Sequence, residues 1–272
     1  MEYDRVKDRL QTIIGDSPLL RSWLFAALDR LFLRSRYVAR EIGRLKSEGF
    51  NPEYILDAGS GFGQYTVRLA KSFPDATVIG LDVMADRIAS GNRFAARANL
   101  KNLKFETGDL TRLEYNGQFD LIVSVDVMEH IEEDQLALQN IARALKPGGL
   151  FIMTTPWWDG GETPLAKIFI DEHVRPGYTE AETYDKFTAA GMTVKRFEIT
   201  YGKWGSAAWK LLQKWPMSCL KGRFWMMPVV FLYFIIAYPI AWICMQMDLH
   251  ADNIQGGGIL AIAHRDSQGT ES

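Results

Sequence analysis

Residues 54–66 read Y-I-L-D-A-G-S-G-F-G-Q-Y-T, and the fold turns on how that stretch is taken. Tyr54 to Leu56 is a short apolar run that reads as a buried strand ending at Asp57. Glycines then alternate at Gly59, Gly61 and Gly63 before helical spacing sets in. This is a strand, a tight turn and a helix start. Glycine at such a turn accepts positive φ and brings backbone N–H groups close to a ligand at the carboxyl end of the strand.

Outward from the turn, apolar runs and helical patterns alternate. Strands are predicted at 54–58, 76–81, 102–106, 119–125 and 149–155, with helices from about 63, at 84–97 and at 133–145. Pro147, Gly148 and Gly149 stop the last of these helices. The rhythm is that of βαβ units in a doubly wound parallel sheet. A helix at about 180–190, a strand at 192–201 and a final strand at 257–264 follow. Acids close the strands: Asp57 the first, Asp82 the second, Asp109 in a G-D-L after the third, and Asp126 the fourth, in D-V-M-E-H-I. A carboxylate at the end of the second strand can accept both hydroxyls of a ribose.

This ordered set, with L-K-P-G-G-L-F-I-M-T-T-P at 145–156, resembles the class I S-adenosylmethionine-dependent methyltransferases over roughly 54–200 plus the last strand. The resemblance implies a Rossmann-like seven-stranded α/β sheet, doubly wound, with the last strand antiparallel and inserted beside the fifth. It implies S-adenosyl-L-methionine as cofactor, with Asp57, Gly59, Gly61 and Gly63 at the methionine end and Asp82 on the ribose. Asp109 would hold the adenine, Val83 and Leu110 would flank its face, and Asp126 completes the cofactor set. Relatives with the E-H pair of Glu129 and His130 include quinone, sterol and small-molecule enzymes. A nicotinamide oxidoreductase would want G-x-G-x-x-G, which these glycines do not give. The N/D-P-P-Y/F tetrapeptide of amino-methyltransferases is missing at D-V-M-E, and no cysteine lies near the site.

Glu129, His130 and His173 are the candidate catalytic groups, with His130 able to take a proton near neutral pH. In D-E-H-V-R-P-G-Y-T, residues 171–179, Arg175 and Tyr178 could meet a polar head group or simply anchor the loop by ion pairing. Trp157 and Trp158 could line an apolar channel. No metal-ligand spacing is present, and Cys219 and Cys244 make no disulfide framework.

The 272 residues carry a net charge of -2, which with no basic stripe outside one segment disfavours nucleic acid. Residues 1–50 read as a helical cap with apolar positions at helical spacing: either a layer packed against the sheet, or one from which Arg36, Tyr37 or Arg40 also reaches the cofactor. The methyltransferase core is 51–202 plus 251–266. The segment 203–250 is an apolar, basic helical insertion. Residues 203–247 hold Lys203, Lys210, Lys214, Lys221 and Arg223 but no acid, and 224–247 hold no charge. That run is long enough to cross a bilayer. Yet the strands on either side belong to one sheet, so a single crossing is forbidden. A monotopic helical hairpin meeting an anionic membrane surface, tryptophans at headgroup level, satisfies both. The N-terminal M-E-Y-D-R-V-K-D-R-L is too charged for a secretory signal.

The sequence thus predicts a monotopic enzyme on the cytoplasmic side of a membrane, acting on a lipophilic acceptor such as a quinone, isoprenoid or lipid-linked intermediate. Two alternatives stand beside it: a soluble small-molecule or sugar methyltransferase whose insertion is a dimerisation arm, and a non-catalytic cofactor-binding scaffold. An oligomer fits any of these.

Overall fold

A computed structural model describes residues 17–159, 174–220 and 224–266. His173 falls outside them, as do Lys221, Arg223 and the first sixteen residues.

Two helices come first, α1 (Pro18–Leu31) and α2 (Leu33–Ser47). Ser17 caps α1 through its side chain, with Pro18 at the first helical position, where its missing N–H costs nothing. The core then alternates β1 (Tyr54–Ala58), α3 (Gln64–Ser72), β2 (Thr77–Asp82), α4 (Ala85–Arg97), β3 (Leu103–Thr107), β4 (Phe119–Val125), α5 (Asp134–Ala144) and β5 (Leu145–Pro156). After α6 (Glu180–Ala189) and β6 (Met192–Thr200), the insertion runs through α7 (Lys203–Trp209), a π-helical stretch (Lys210–Lys214), α8 (Trp215–Leu220) and α9 (Met227–Leu249), then β7 (Gly258–Arg265) closes the sheet.

The seven strands lie in the order β3-β2-β1-β4-β5-β7-β6. All neighbours from β3 to β5 pair in parallel, and β7 is antiparallel to both β5 and β6. The near-continuous apolar strands follow from this, because helices cover both faces. One face is packed by α1 to α4, with Phe25, Tyr37, Val67 and Phe94 in its core. The other is packed by α5 and α6, with Leu138, Ile141 and Phe187.

The insertion is a helical hairpin. Its outgoing arm, α7 to α8, packs along α9, and the Tyr233 hydroxyl donates to the Leu211 carbonyl across the arms at 3.0 Å. Ala208, Leu212, Ala241, Cys244 and Met245 sink into the same core as α1 and α2, so the root of the hairpin is part of the globule. The outer half is not. Among the described residues α9 is the one helix long and apolar enough to cross a membrane, with mean hydropathy 2.1. At 1.5 Å per residue its 23 residues span about 34 Å. Only a narrow stripe, Val230, Ala237, Ala241, Cys244, Met245 and Asp248, is buried. Phe231 (71 % exposed), Leu232 (63 %), Ile235 (60 %) and Ile236 (71 %) face outward. A soluble helix normally puts polar residues there.

Candidate active site

The turn after β1 folds back on the end of β2. Gly59 and Ser60 both donate to the Leu81 carbonyl at 2.8 Å, and the Gly61 N–H donates to Asp82 Oδ2 at 2.9 Å. Asp82 Oδ1 takes the Met84 N–H at 2.9 Å, so this carboxylate sets the loop while part of it stays open to solvent. The three glycines differ in purpose. All have positive φ, but a Cβ on Gly59 would strike Val127 at 2.3 Å and one on Gly63 would strike Phe105 at 2.6 Å. Gly61 has nothing within 4 Å and looks into open space. Its backbone is therefore the part of the turn that a ligand can approach.

Asp57 is buried and accepts from the Thr66 hydroxyl at 2.5 Å. Burial pushes its carboxyl up to about 7 from 3.8, although the Thr66 bonds pull the other way. An acid held above its unfolded pKa favours folding below that pKa, and the advantage is lost as pH rises through about 7. Three units at 1.36 kcal/mol each put the effect at about 4 kcal/mol. Asp57→Asn is therefore expected to raise the melting temperature of the ligand-free protein at pH 8 and leave it unchanged near pH 4. Melting curves across that range check this, and a parallel offset at every pH would contradict it.

Asp109 caps a short 3-10 turn and is exposed; Thr111 N–H and hydroxyl bonds at 2.8 Å hold it below the usual carboxylate range. Gly108 donates to the Asp82 carbonyl at 3.1 Å, which sets Asp109 beside the second acid. Val83 is exposed. Leu110, expected to flank a base, turns its side chain into the core with Leu113 and Ala142, because the turn buries its only large apolar group.

At the ends of β4 and β5 the structure gathers a polar cluster. Asp126 has φ +53, and its carboxylate pairs with the Arg34 guanidinium from α2. Glu129 is buried, takes the Thr155 hydroxyl at 3.0 Å, and is raised to about 7 chiefly by burial. Arg34 also bears on Glu129, pulling it down, and on Tyr65 and Tyr201. His130, the other member of the pair, lies on the exposed side of the same turn.

Arg34 corrects the expectation for the cap. Arg36 instead donates to the Arg30 carbonyl, Tyr37 is buried against Asp248, and Arg40 binds Leu249 and Glu198. The rotation of α2 that buries Tyr37 turns those arginines away and presents Arg34. A second unforeseen residue, Arg21 on α1, is buried and ties the cap to the turn through the Phe62 carbonyl at 2.6 Å and Ser90. Arg175 and Tyr178 both take up Asp134, at 2.5 and 2.7 Å, and so hold the loop rather than a head group. Trp157 pairs its backbone with Tyr178 and is partly buried.

The set suits a cationic nucleoside ligand. Asp57, Asp82, Asp109, Asp126 and Glu129 gather at the carboxyl ends of the parallel strands, and the buried Ser60 hydroxyl in the glycine turn has no hydrogen-bond partner. Among the described residues there is no cluster that could hold a metal.

Comparison with known proteins agrees. The family model for a methyltransferase domain matches residues 52–213, more than half of the chain. A trans-aconitate 2-methyltransferase of Deinococcus radiodurans is 36% identical over 102 residues, 38% of this chain and 37% of that protein. A ubiquinone biosynthesis O-methyltransferase of Coxiella burnetii is 30% identical over 124 residues, 45% of this chain and 49% of that protein. The chain thus spans half or less of the length of these two relatives. Among solved structures, a geranyl diphosphate C-methyltransferase from Streptomyces coelicolor, complexed with geranyl diphosphate and S-adenosyl-L-homocysteine, superposes with TM-score 0.55. It is 13% identical, over 78% of this chain and 71% of that one, and it speaks for the fold.

Proposed function

The chain belongs to the class I S-adenosylmethionine-dependent methyltransferases, and from that premise we propose that it methylates a lipophilic acceptor at a membrane surface on which its hairpin docks. The carrying observation is where the hairpin starts. Thr200, Gly258 and Pro156 are cross-strand partners, so both hairpin ends leave beside the carboxyl end of β5. That is the end of the sheet that carries the glycine turn and Glu129. An acceptor whose tail stays in the bilayer would bring its head to the cofactor along the hairpin.

S-adenosylmethionine, when bound, supplies a methyl group on a sulfonium that leaves as a neutral thioether. The chain's part is position and charge. Gly61 and Ser60 accommodate the methionine arm, Asp82 the ribose hydroxyls, Asp109 the adenine. Asp57, Asp126 and Glu129 set carboxyl groups around a cation, and a bound cation favours the charged forms of the two that burial holds up near 7. Where the acceptor loses a proton, Glu129 takes it: it faces inward and titrates near neutral pH. His130, on the outer side of the turn, is the second candidate, as is His173; loss of turnover in Glu129→Gln but not His130→Asn would decide for the glutamate.

A second reading, a soluble enzyme for a small acid with the hairpin paired to another copy, has the trans-aconitate relative in its favour. Flotation with anionic liposomes at low and high salt, followed by transfer of labelled methyl into a total lipid extract, separates the two. Binding with label in the organic phase supports the membrane enzyme. A dimer that neither floats nor labels lipid supports the soluble one.

A further inference from the structure

The hairpin root carries a tyrosine in a conformation that a tyrosine seldom takes. Tyr201, directly after β6, has φ +55. Such a backbone persists when its surroundings hold it, and two bonds do. Its N–H donates to Asp248 Oδ2 at 3.1 Å, and its hydroxyl accepts the Arg34 N–H at 3.1 Å. That N–H belongs to the first turn of α2, where no carbonyl within the helix can reach it. No side chain of Phe32 caps the helix. The tyrosine does.

Asp248 gathers the rest of the root. It is the last acid before the hairpin ends, fully buried, and it accepts from the Tyr37 hydroxyl at 2.9 Å and the Gly205 N–H at 2.8 Å as well as from Tyr201. One carboxylate thus ties the outgoing arm, the returning arm, the end of β6 and α2. A Cβ on Gly205 would lie 2.7 Å from its Oδ2, so the approach leaves no slack. Tyr37 and Arg34 are one turn apart on α2, and the root grips the helix at both.

We propose that Tyr201, seated by Asp248, is a positioning residue that fixes the N-terminal turn of α2 so that the Arg34 guanidinium faces Asp126 and Glu129 in the methyl-transfer site. The hairpin root thereby sets the charge balance of the site. Glu129 is faced by Arg34 from α2, which also pairs with Asp126, and by Tyr178 from the loop before α6, whose hydroxyl is bound to the Asp134 that Arg175 also holds. Arg34 is the cation that holds the glutamate down; if it drifts, Glu129 binds its proton more tightly. The proposal rests on the cofactor reading of this site, not on the membrane one.

The test uses the full chain and S-adenosylmethionine alone, so no acceptor need be known. Affinity is measured by calorimetry between pH 5.5 and 9. The part of the profile absent in Glu129→Gln is that residue's titration. In Tyr201→Phe, and in Asp248→Asn with both hydrophobic arms intact, that part is expected to move to higher pH by about half a unit, a threefold change in proton affinity. Arg34→Gln is expected to move it further. Melting temperatures and flotation of Tyr201→Phe should stay near the parent's, which separates positioning from loss of fold. A parent-like profile in Tyr201→Phe and Asp248→Asn beside a shifted one in Arg34→Gln would overturn the coupling. No shift in Arg34→Gln would overturn the arginine's role. A parent that does not bind S-adenosylmethionine would overturn the cofactor reading itself.

Discussion

Asp82→Ala is expected to weaken S-adenosylmethionine binding at least a hundredfold while the protein still folds. The carboxylate presents about four lone-pair sites. Two are used on Gly61 and Met84, and the others are open to the ribose. Charge-assisted hydrogen bonds contribute about 1.5–3 kcal/mol each, so losing two costs roughly 3–6 kcal/mol, a hundredfold or more. Removing the side chain also frees the Gly61 N–H, at the one glycine of the turn that opens to solvent. Folding should suffer little, because Asp82 is half-buried and no apolar contact depends on it. Calorimetry on the purified variant is the check; unchanged affinity in a folded protein would remove Asp82 from the ribose.

The largest effect is expected at the hairpin tip. Replacing Phe231, Leu232, Ile235 and Ile236 with serine should abolish flotation with anionic liposomes and leave the melting temperature within a few degrees of the parent. All four are exposed, so the fold loses no core contact. A membrane would gain about 1.5–3 kcal/mol from each such side chain, some 6–12 kcal/mol in all, enough to move a protein wholly from bound to free. The exposed Lys210 and Lys214 on the other arm should make the parent's binding weaken with salt. A variant that still floats would exclude the tip; one that changes from dimer to monomer, with a parent that never floated, would identify a dimer arm. Excising 204–250 is a poorer experiment than substituting these four side chains. The cut takes Ala208, Leu212, Ala241, Cys244 and Met245 out of the core and deletes Asp248 from under Tyr37, so the remainder is expected to unfold.

That difference shows where the sequence speaks and where it is silent. The ends of the first four strands are legible because an acid closes or follows each, Asp57, Asp82, Asp109 and Asp126, and periods of two and 3.6 distinguish strand from helix over such lengths. The antiparallel seventh strand came from the family resemblance and stands in the structure. The length and apolarity of α9 could be read directly. Its anchor could not: Asp248 looks like the polar end of an apolar run, and its partners, Tyr37, Tyr201 and Gly205, are spread across the chain. The same long-range bond sets the rotation of α2. A helix advances 100° per residue, so naming Arg36 or Arg40 instead of Arg34 is a phase error that no local pattern corrects. For Arg175 and Tyr178 the deciding partner, Asp134, belongs to the preceding helix, and the sequence left an anchored loop and a ligand contact equally open.

The place of β7 between β5 and β6 bears on how the chain comes to be assembled. Among the described residues β6 pairs with β7 alone, and residues 202–257 must be synthesised before β7 exists. Throughout that interval β5 presents an unpaired edge while the most apolar part of the protein leaves the ribosome. Pairing across so long a separation is slow, and open strand edges with exposed apolar surface invite aggregation. A bilayer that takes up the hairpin at that moment would shelter the apolar arms and hold the ends of the gap close together, so that β7 slots into a sheet already waiting for it.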